Sequence, residues 1–324
     1  MNMIKQLLRY RFLALCVLAI LLSSCSKDAF SAWETDFDSA KQKAAGENKN
    51  ILVFFSTDDA QGVSADLKKN VFSQKKFVSA AGADFVLLNI DVTESEYTQT
   101  QSDETGEAKA AFQHKLDILD AYSVESMPAL YMLTKDGFVI KAFEYNPEIN
   151  NVKSYLELLA KEKENAASYN SLVRAVEESQ GVYRVRAINA LFDATDKAYN
   201  TLLLPYCREV GSLDPTNSTG LVGKFEFQVA YTEAIRFFHE GNVEEAAKCF
   251  IDAVLKGHLS AEQIQEAYYS ASYILAMAKK YDSRVLDYFK LSYESLPEGA
   301  LAENIKRTIE ALESMTKEQD SEQE

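Results

Sequence analysis

Two short apolar runs constrain the fold of this chain more than any other feature of its sequence. They span residues 51–55 and 85–90, and only Asn89 interrupts the second. Continuous apolar runs of this length are typical of parallel strands that helices cover on both faces. We therefore predict two central strands and an α/β domain built around them.

A hairpin follows these strands along the chain. Apolar runs at residues 129–133 and 138–140 flank Lys135, Asp136 and Gly137. A short Asp-Gly connection between apolar runs predicts a β-hairpin. Helical patterns are expected near residues 36–45, 60–72, 107–122 and 150–164. The predicted order is strand, helix, strand, helix, strand, strand, helix.

Beyond Ala166 the strand patterns stop. Apolar residues three and four positions apart predict seven or eight amphipathic helices that end near Met315. Ala246, Phe250 and Ala253 have the spacing of a tetratricopeptide unit, which this stretch resembles. Since arrays of such units need about three copies, an irregular helical bundle is the other interpretation.

The N-terminus has the features of a secretory signal. Lys5, Arg9 and Arg11 precede an apolar run over residues 12–22. This run is too short to span a bilayer comfortably, and a basic region followed by a short apolar one is typical of an export signal. We exclude residues 1–24 from the fold.

The end of this segment resembles the lipobox of bacterial lipoproteins, Leu22-Ser23-Ser24-Cys25. The resemblance implies cleavage before Cys25 and a diacylglyceryl group on its thiol, so membrane attachment needs no transmembrane helix. The alternatives are an ordinary signal peptide and an uncleaved anchor. Lys27 in place of an aspartate, by resemblance to enterobacterial sorting, favours the outer membrane over the inner membrane.

The mature chain is strongly acidic. Removal of residues 1–24 takes three of the 34 basic residues and none of the 49 acidic ones, which leaves a formal net charge of −18. Such a surface repels polyanions, which argues against nucleic acid and anionic lipid headgroups as partners.

The connection at residues 93–115 carries several carboxylates. These are Glu94, Glu96, Asp103, Glu104 and Glu107. Spaced carboxylates can bind calcium, but the D-x-D-x-D-G register of a calcium loop is missing. We expect a solvated acidic loop and no metal site.

Residues 30–160 resemble the thioredoxin-like family in three stretches, at residues 53–59, 67–73 and 122–128. The resemblance implies that the first helix opens with a W-C-x-x-C-K motif and that a cis-proline precedes a strand. It places Pro128, after Met127, at the cis-proline.

The same resemblance identifies a degenerate redox motif. It puts Ala60 at the tryptophan, Gln61 and Ser64 at the two cysteines, and Gly62 and Val63 between them. Thiol–disulfide exchange needs an attacking thiolate and a resolving thiol, and these residues supply neither.

Ser64 has no obvious catalytic role. A serine nucleophile needs an adjacent base, and no histidine lies nearby in sequence. We expect a small residue near a helix start, with Asp58 or Asp59 as the N-cap. The sequence therefore favours the loss of dithiol chemistry, no catalytic residue and no enzymatic activity.

Pro128 has two interpretations. The backbone beside it could dock an extended peptide, or the proline could only shape the turn into the strand. The remaining cysteines, Cys207 and Cys249, lie on apolar helix stripes and are expected to be packing residues, with a disulfide between them as the alternative. Trp33 is expected to anchor the core.

The domains predicted from the sequence are a signal peptide (1–24), a lipidated tether (25–35), a thioredoxin-like domain (36–164), an all-α helical domain (165–315) and a disordered acidic tail (316–324).

Two function classes follow. The first is an envelope lipoprotein whose redox-inactive domain binds or adapts an envelope protein, with no cofactor besides the lipid on Cys25. The second is a thiol–disulfide oxidoreductase or helper, in which Cys207 or Cys249 acts or a partner supplies the thiols.

Overall fold

A computed structural model describes residues 29–57, 62–278 and 283–322, with side chains at positions 30–315 of these ranges. Within them the chain forms two compact units. The first consists of the residues up to Asp120 together with Val124–Glu164, and the second of Ala121–Ser123 and the residues from Asn165 onward. The predicted signal peptide and Cys25 lie outside the described residues.

The first unit alternates helices and strands. Its elements are α1 (Phe37–Glu47), β1 (Asn50–Thr57), α2 (Val63–Leu67) with a π-helical turn (Lys68–Phe72), α3 (Lys75–Asp84), β2 (Phe85–Val92), α4 (Glu94–Ser102), α5 (Glu107–Ala121), β3 (Ala129–Leu133), β4 (Val139–Phe143) and α6 (Val152–Lys161). The predicted strands and the predicted hairpin are all present.

The four strands form one mixed sheet in the order β2-β1-β3-β4. β1 pairs in parallel with β2, and β3 pairs antiparallel with both β1 and β4. Side chains alternate between the two faces of a strand. Phe54 of β1 packs on Phe72, with ring centroids 4.5 Å apart, and Phe55 packs on Tyr131 at 5.2 Å. Both faces of β1 are therefore buried, as its apolar sequence predicts.

The segment before α1 packs on the first unit. Ala29–Ala32 forms a 3-10 helix, and Trp33 behind it is buried, as expected of a core anchor. Glu34 pairs with β2: its N–H donates to Leu87 O over 2.8 Å, and its carbonyl accepts from Asn89 N over 2.8 Å. Residues 29–35, predicted to belong to the tether, are therefore part of the fold, because an aromatic side chain and strand pairing hold them.

The connection expected to be an acidic loop is largely helical. α4 begins after the N-cap Thr93, whose side chain accepts from Glu96 N, and none of its residues is buried. Lys115 of α5 pairs with Glu96 over 2.6 Å. The loop prediction was wrong because local capping and ion pairing stabilise a helix that has no apolar face.

Eight α-helices form the described helical region, and the first of them begins two residues before the unit boundary at Asn165. They are α7 (Lys163–Glu178), α8 (Gly181–Ala194), α9 (Leu204–Leu213), α10 (Val222–His239), α11 (Val243–Leu255), α12 (Ala261–Met277), α13 (Ser283–Ser295) and α14 (Ala302–Glu322), with a 3-10 helix at Lys197–Leu203. Ala246, Phe250 and Ala253 are buried in the core between α10, α11 and α12.

The C-terminal helix differs from the sequence prediction. α14 continues to Glu322, so residues 316–322, expected to be a disordered tail, have helical backbone. Across the described ranges, no helix has both the length and the apolar character that crossing a bilayer requires.

Candidate functional site

Strand register places the proline loop beside the start of α2. Phe55 of β1 lies opposite Ala129 of β3, so the antiparallel register, continued outward, sets Met127 and Pro128 next to the end of β1. The Met127–Pro128 peptide bond is cis, the geometry that the family resemblance implies.

Ser64 is tied to the same end of β1. Its side chain is 2% exposed, and its hydroxyl accepts from Thr57 N over 3.2 Å and from Thr57 Oγ1 over 3.3 Å. Two donors on one oxygen hold this side chain toward the sheet. Ser64 is therefore a buried hydrogen-bond acceptor that links the first turn of α2 to β1.

The helix start differs from the prediction. Gly62 is the N-cap of α2 and has no side chain to cap the helix, and its carbonyl accepts from Asp66 N over 3.1 Å. The N-cap is therefore Gly62 and not Asp58 or Asp59, the residues that the sequence predicts. Asp58, Asp59 and Gln61 lie outside the described residues. Val63, on the first turn of α2, is 40% exposed.

A small cavity adjoins Pro128. Leu67 of α2, Phe54 of β1 and Tyr145, which follows β4, share its lining with Pro128. Its volume is about 10 Å³, which is room for one water molecule. Pockets for organic ligands are typically ~300 Å³ or larger. This cavity brings α2 and the proline loop together but has no room for a cofactor.

A polar network that sequence reasoning missed lies beside this site. Ser56 Oγ is 2.9 Å from Asn89 Oδ1 and 2.7 Å from Asp91 Oδ1, and Lys68 Nζ is 2.7 Å from Asp91 Oδ2. Ser56 and Asn89 are buried within apolar strands. The signal in the sequence is the polar residue in each apolar run, but only the register shows that the two strands place them together.

The two described cysteines lie in the second unit, and both are free thiols, so no disulfide joins them. Burial raises the pKa of the Cys207 thiol to about 12. Burial also raises the pKa of Cys249, with a further contribution from the carboxylates of Glu233, Asp252 and Glu245. Both thiols are thus protonated near neutral pH, the form that is not nucleophilic.

Two known families match separate parts of this chain. Residues 37–150 match the family described as "Thioredoxin-like domain", and residues 221–319 match one described as "Uncharacterised protein C-terminal domain". An "Uncharacterized protein" of Treponema pallidum (strain Nichols) is 23% identical over 295 residues, which cover 90% of this chain and 92% of that protein. A solved structure titled "DsbH Oxidoreductase" aligns with 42% of this chain and 83% of its own, at 17% identity and a TM-score of 0.33.

Residues 37–150 are thus a thioredoxin-like domain with a four-stranded mixed sheet and a cis-proline before β3. The chain joins this domain to a helix-rich C-terminal region. The predicted fold class is confirmed, whereas the tetratricopeptide resemblance and the lipid anchor stay predictions.

Proposed function

We propose that this chain is a lipid-anchored protein of the bacterial envelope whose thioredoxin-like domain binds a partner protein without exchanging disulfides. The observation that carries the proposal is the state of Ser64. The family resemblance assigns the second redox cysteine to this position, where the Ser64 hydroxyl is buried and hydrogen-bonded to Thr57. Such a group holds the helix in place and has no sulfur to exchange.

The distribution of sulfur supports this proposal. No cysteine occurs in the sequence between Cys25 and Cys207. Exchange starts with a thiolate, and burial raises the pKa of both thiols in the helical region. In the proposed mature protein the Cys25 sulfur carries lipid, so it is also blocked.

Exposed apolar groups near the proline loop support a binding role. Val63 is 40% exposed and Tyr145 is 42% exposed, and Met127 beside Pro128 is half-buried. An extended segment could pair with the backbone at this loop and place its side chains against these groups. An envelope protein with an exposed, partly apolar segment is the partner class that this surface suits.

A redox assay tests the catalytic half of the proposal. Insulin reduction is measured for the natural chain and for the variant Gln61→Cys with Ser64→Cys, with Gln61→Ala and Ser64→Ala as the matched sulfur-free control. We expect turnover only from the cysteine variant. Turnover by the natural chain that disappears in Cys207→Ser or Cys249→Ser would establish an oxidoreductase and overturn the proposal.

A crosslinking experiment tests the binding half. A photoreactive amino acid replaces Met127 in lipid-anchored protein in intact envelopes, and another replaces Lys109, exposed on α5, as the control. We expect one discrete protein adduct from position 127 that is reduced by Val63→Asp and Tyr145→Asp. Adducts of equal yield from both positions would contradict a binding site at the proline loop.

A further inference from the structure

The tether between the lipid and the folded chain is very short. Only Ser26, Lys27 and Asp28 separate Cys25 from the 3-10 helix that begins at Ala29. Four Cα-to-Cα steps of at most ~3.6 Å bring Ala29 within about 14 Å of Cys25. If Cys25 carries lipid, this edge of the domain lies next to the headgroups.

The segment that leaves the tether is held firmly against the domain. Trp33 Nε1 donates to Phe72 O over 3.2 Å, and the Trp33 ring stacks on Phe30 at 5.3 Å and on Phe77 at 6.3 Å. Glu34 pairs with β2 immediately afterwards. A longer tether formed by peeling residues 29–35 away would expose this aromatic cluster, which is costly.

The elements that residues 29–32 contact are unusually basic. These elements are the π-helical turn and α3, which carry the exposed side chains of Lys69, Lys75 and Lys76. We call these three residues the lysine face. Lys68, on the same turn, is paired with Asp91, and its Nζ lies 5.9 Å from the Phe30 ring centroid.

Acidic residues are absent from the stretch of sequence that carries this face. Residues 67–83 contain four lysines and no acidic residue, although the mature chain has a net charge of −18. Two acidic side chains flank the stretch: Asp66 is exposed on α2, and Asp84 at the end of α3 is paired with Lys163 over 2.8 Å. The net charge argues against anionic headgroups as a general partner, but the charge of residues 67–83 has the opposite sign.

We propose that the lysine face lies flat on anionic lipid headgroups and fixes the orientation of the thioredoxin-like domain on the membrane. The proposal rests on the lipid attachment at Cys25 put forward above. The tether holds Ala29 within about 14 Å of Cys25, and the helix that begins at Ala29 contacts the elements that carry the lysine face. Electrostatic attraction acts over a Debye length of about 8 Å in physiological salt. Each lysine near an anionic surface favours the bound state about fivefold, so three favour it about a hundredfold.

Lysine acylation of the full lipid-anchored chain measures this contact. The protein is placed in phosphatidylethanolamine–phosphatidylglycerol vesicles, in phosphatidylcholine vesicles and in detergent, and each lysine's reactivity is read by mass spectrometry. We expect Lys69 and its two neighbours in the face to react at least fivefold more slowly on the anionic vesicles alone. The exposed lysines 109, 141 and 248 lie on other elements, α5, β4 and α11, and their reactivity should not change.

Trp33 provides a second measurement, because it is the one tryptophan of the chain and lies beside this face. Energy transfer from Trp33 to a headgroup-labelled lipid should be strong on anionic vesicles. It should fall in the triple variant K69Q/K75Q/K76Q and persist in the charge-matched control K109Q/K141Q/K248Q. Equal transfer in both variants would overturn the proposal.

Lipid attachment is measured separately, by the mass of the N-terminal peptide and by flotation with vesicles, with Cys25→Ser as the control. An unlipidated chain that does not float contradicts the anchor itself, and with it this proposal. A chain that floats while its lysine face reacts equally fast on vesicles and in detergent contradicts the orientation alone. Protection that persists on phosphatidylcholine in 1 M salt, or that follows protein density on the vesicle, would show a different cover, such as a second copy, and would also overturn the proposal.

Discussion

The hydroxyl of Ser64 accepts a hydrogen bond from the Thr57 backbone N–H over 3.2 Å, which ties the first turn of α2 to the end of β1. In the family resemblance this position belongs to the resolving cysteine of a dithiol. In this chain the residue at that position has a structural role, because the Ser64 hydroxyl oxygen accepts hydrogen bonds from Thr57 at the end of β1.

Replacing Ser64 by alanine should lower the free energy of unfolding by about 1 kcal/mol, because it removes the acceptor for the Thr57 donors. Urea unfolding followed by circular dichroism measures the change. Ser79→Ala, at an exposed position of α3, is the matched control and should change stability by less than about 0.5 kcal/mol. Equal effects of the two variants would contradict the role given to the Ser64 hydroxyl.

Replacing Trp33 by alanine should cost about 3–5 kcal/mol, since a buried ring that contacts four other aromatic residues is lost. Trp33→Phe should cost less, because it keeps most of the contacts and loses the hydrogen bond to Phe72 O. Circular dichroism is the readout, since these variants have no tryptophan. Tyr97 is 55% exposed, and Tyr97→Ala should lower the free energy of unfolding by less than about 1 kcal/mol. A loss of stability as large as that of Trp33→Ala would contradict the role of Trp33 as a core anchor.

The sequence predicts the sheet well because strand burial is encoded in continuous apolar runs. The predicted strand at residues 129–133 coincides with β3 (Ala129–Leu133). Helix α4 has no buried residue. Its sequence therefore lacks the apolar periodicity from which a helix could be predicted. Helix α3 buries only Phe77 and Ala81, a pattern too sparse to be distinguished from a loop.

The sequence predicts only part of the candidate site. The family resemblance assigns Ser64 to the redox motif and Pro128 to the cis-proline. The register of β1 and β3 brings Pro128 to the end of β1, and the hydrogen bond to Thr57 brings Ser64 to the same end. The network of Ser56 with Asn89 depends on two strands pairing in one register. Packing of residues 29–35 depends on Phe72, Phe77 and β2, which are distant from them in the sequence.

Replacing Gly223 by alanine should destabilise the helical unit by about 1–3 kcal/mol. A Cβ at this position of α10 would lie 2.8 Å from the carbonyl carbon of His258 and closer still to its oxygen. Backbone atoms do not yield as a flexible side chain does, so the helix must move. Gly211→Ala in α9 is the control, since its Cβ would meet only Glu226 Oε1 at 3.7 Å. Helix propensity predicts a gain of about 0.5–1 kcal/mol there, and destabilisation by both variants would contradict this argument.

Asp214 should make stability depend on pH in strong acid. Its carboxylate accepts from the hydroxyl of Thr219 over 2.6 Å and also from Thr219 N, Ser218 N and Ser218 Oγ, which lowers its pKa to about 2. The unfolded chain has the ordinary pKa of about 3.9. The contribution is therefore complete above pH ~4 and is lost as the pH falls through about 2.

Urea unfolding at several pH values between 2 and 6 checks this dependence. Asp214→Asn should be less stable than the natural chain at pH 6 and should lose less stability between pH 4 and pH 2. Asp252→Asn, at an exposed position of α11, is the matched control. A slope for Asp214→Asn that equals the natural one would show that another group titrates in this range.

Neither thiol of the helical region should react readily in the folded protein. Burial raises the pKa of Cys207 to about 12, and it raises that of Cys249 with help from nearby carboxylates, so little thiolate exists at pH 7.5. Cys207 is 2% exposed, so iodoacetamide should label it only after unfolding in urea. Cys249 is half-buried and should be labelled, but several times more slowly than in the unfolded chain, with a rate that still rises above pH 9.

The assignment uses chains that carry Cys16→Ser and Cys25→Ser, so that Cys207 and Cys249 are the thiols that react. Adding Cys249→Ser should abolish labelling of the folded protein, and adding Cys207→Ser should leave its rate unchanged. Labelling of either thiol at pH 7 as fast as that of an unfolded cysteine would reveal a reactive thiolate. Because such a thiolate is what an oxidoreductase requires, that result would return catalysis to consideration for this chain.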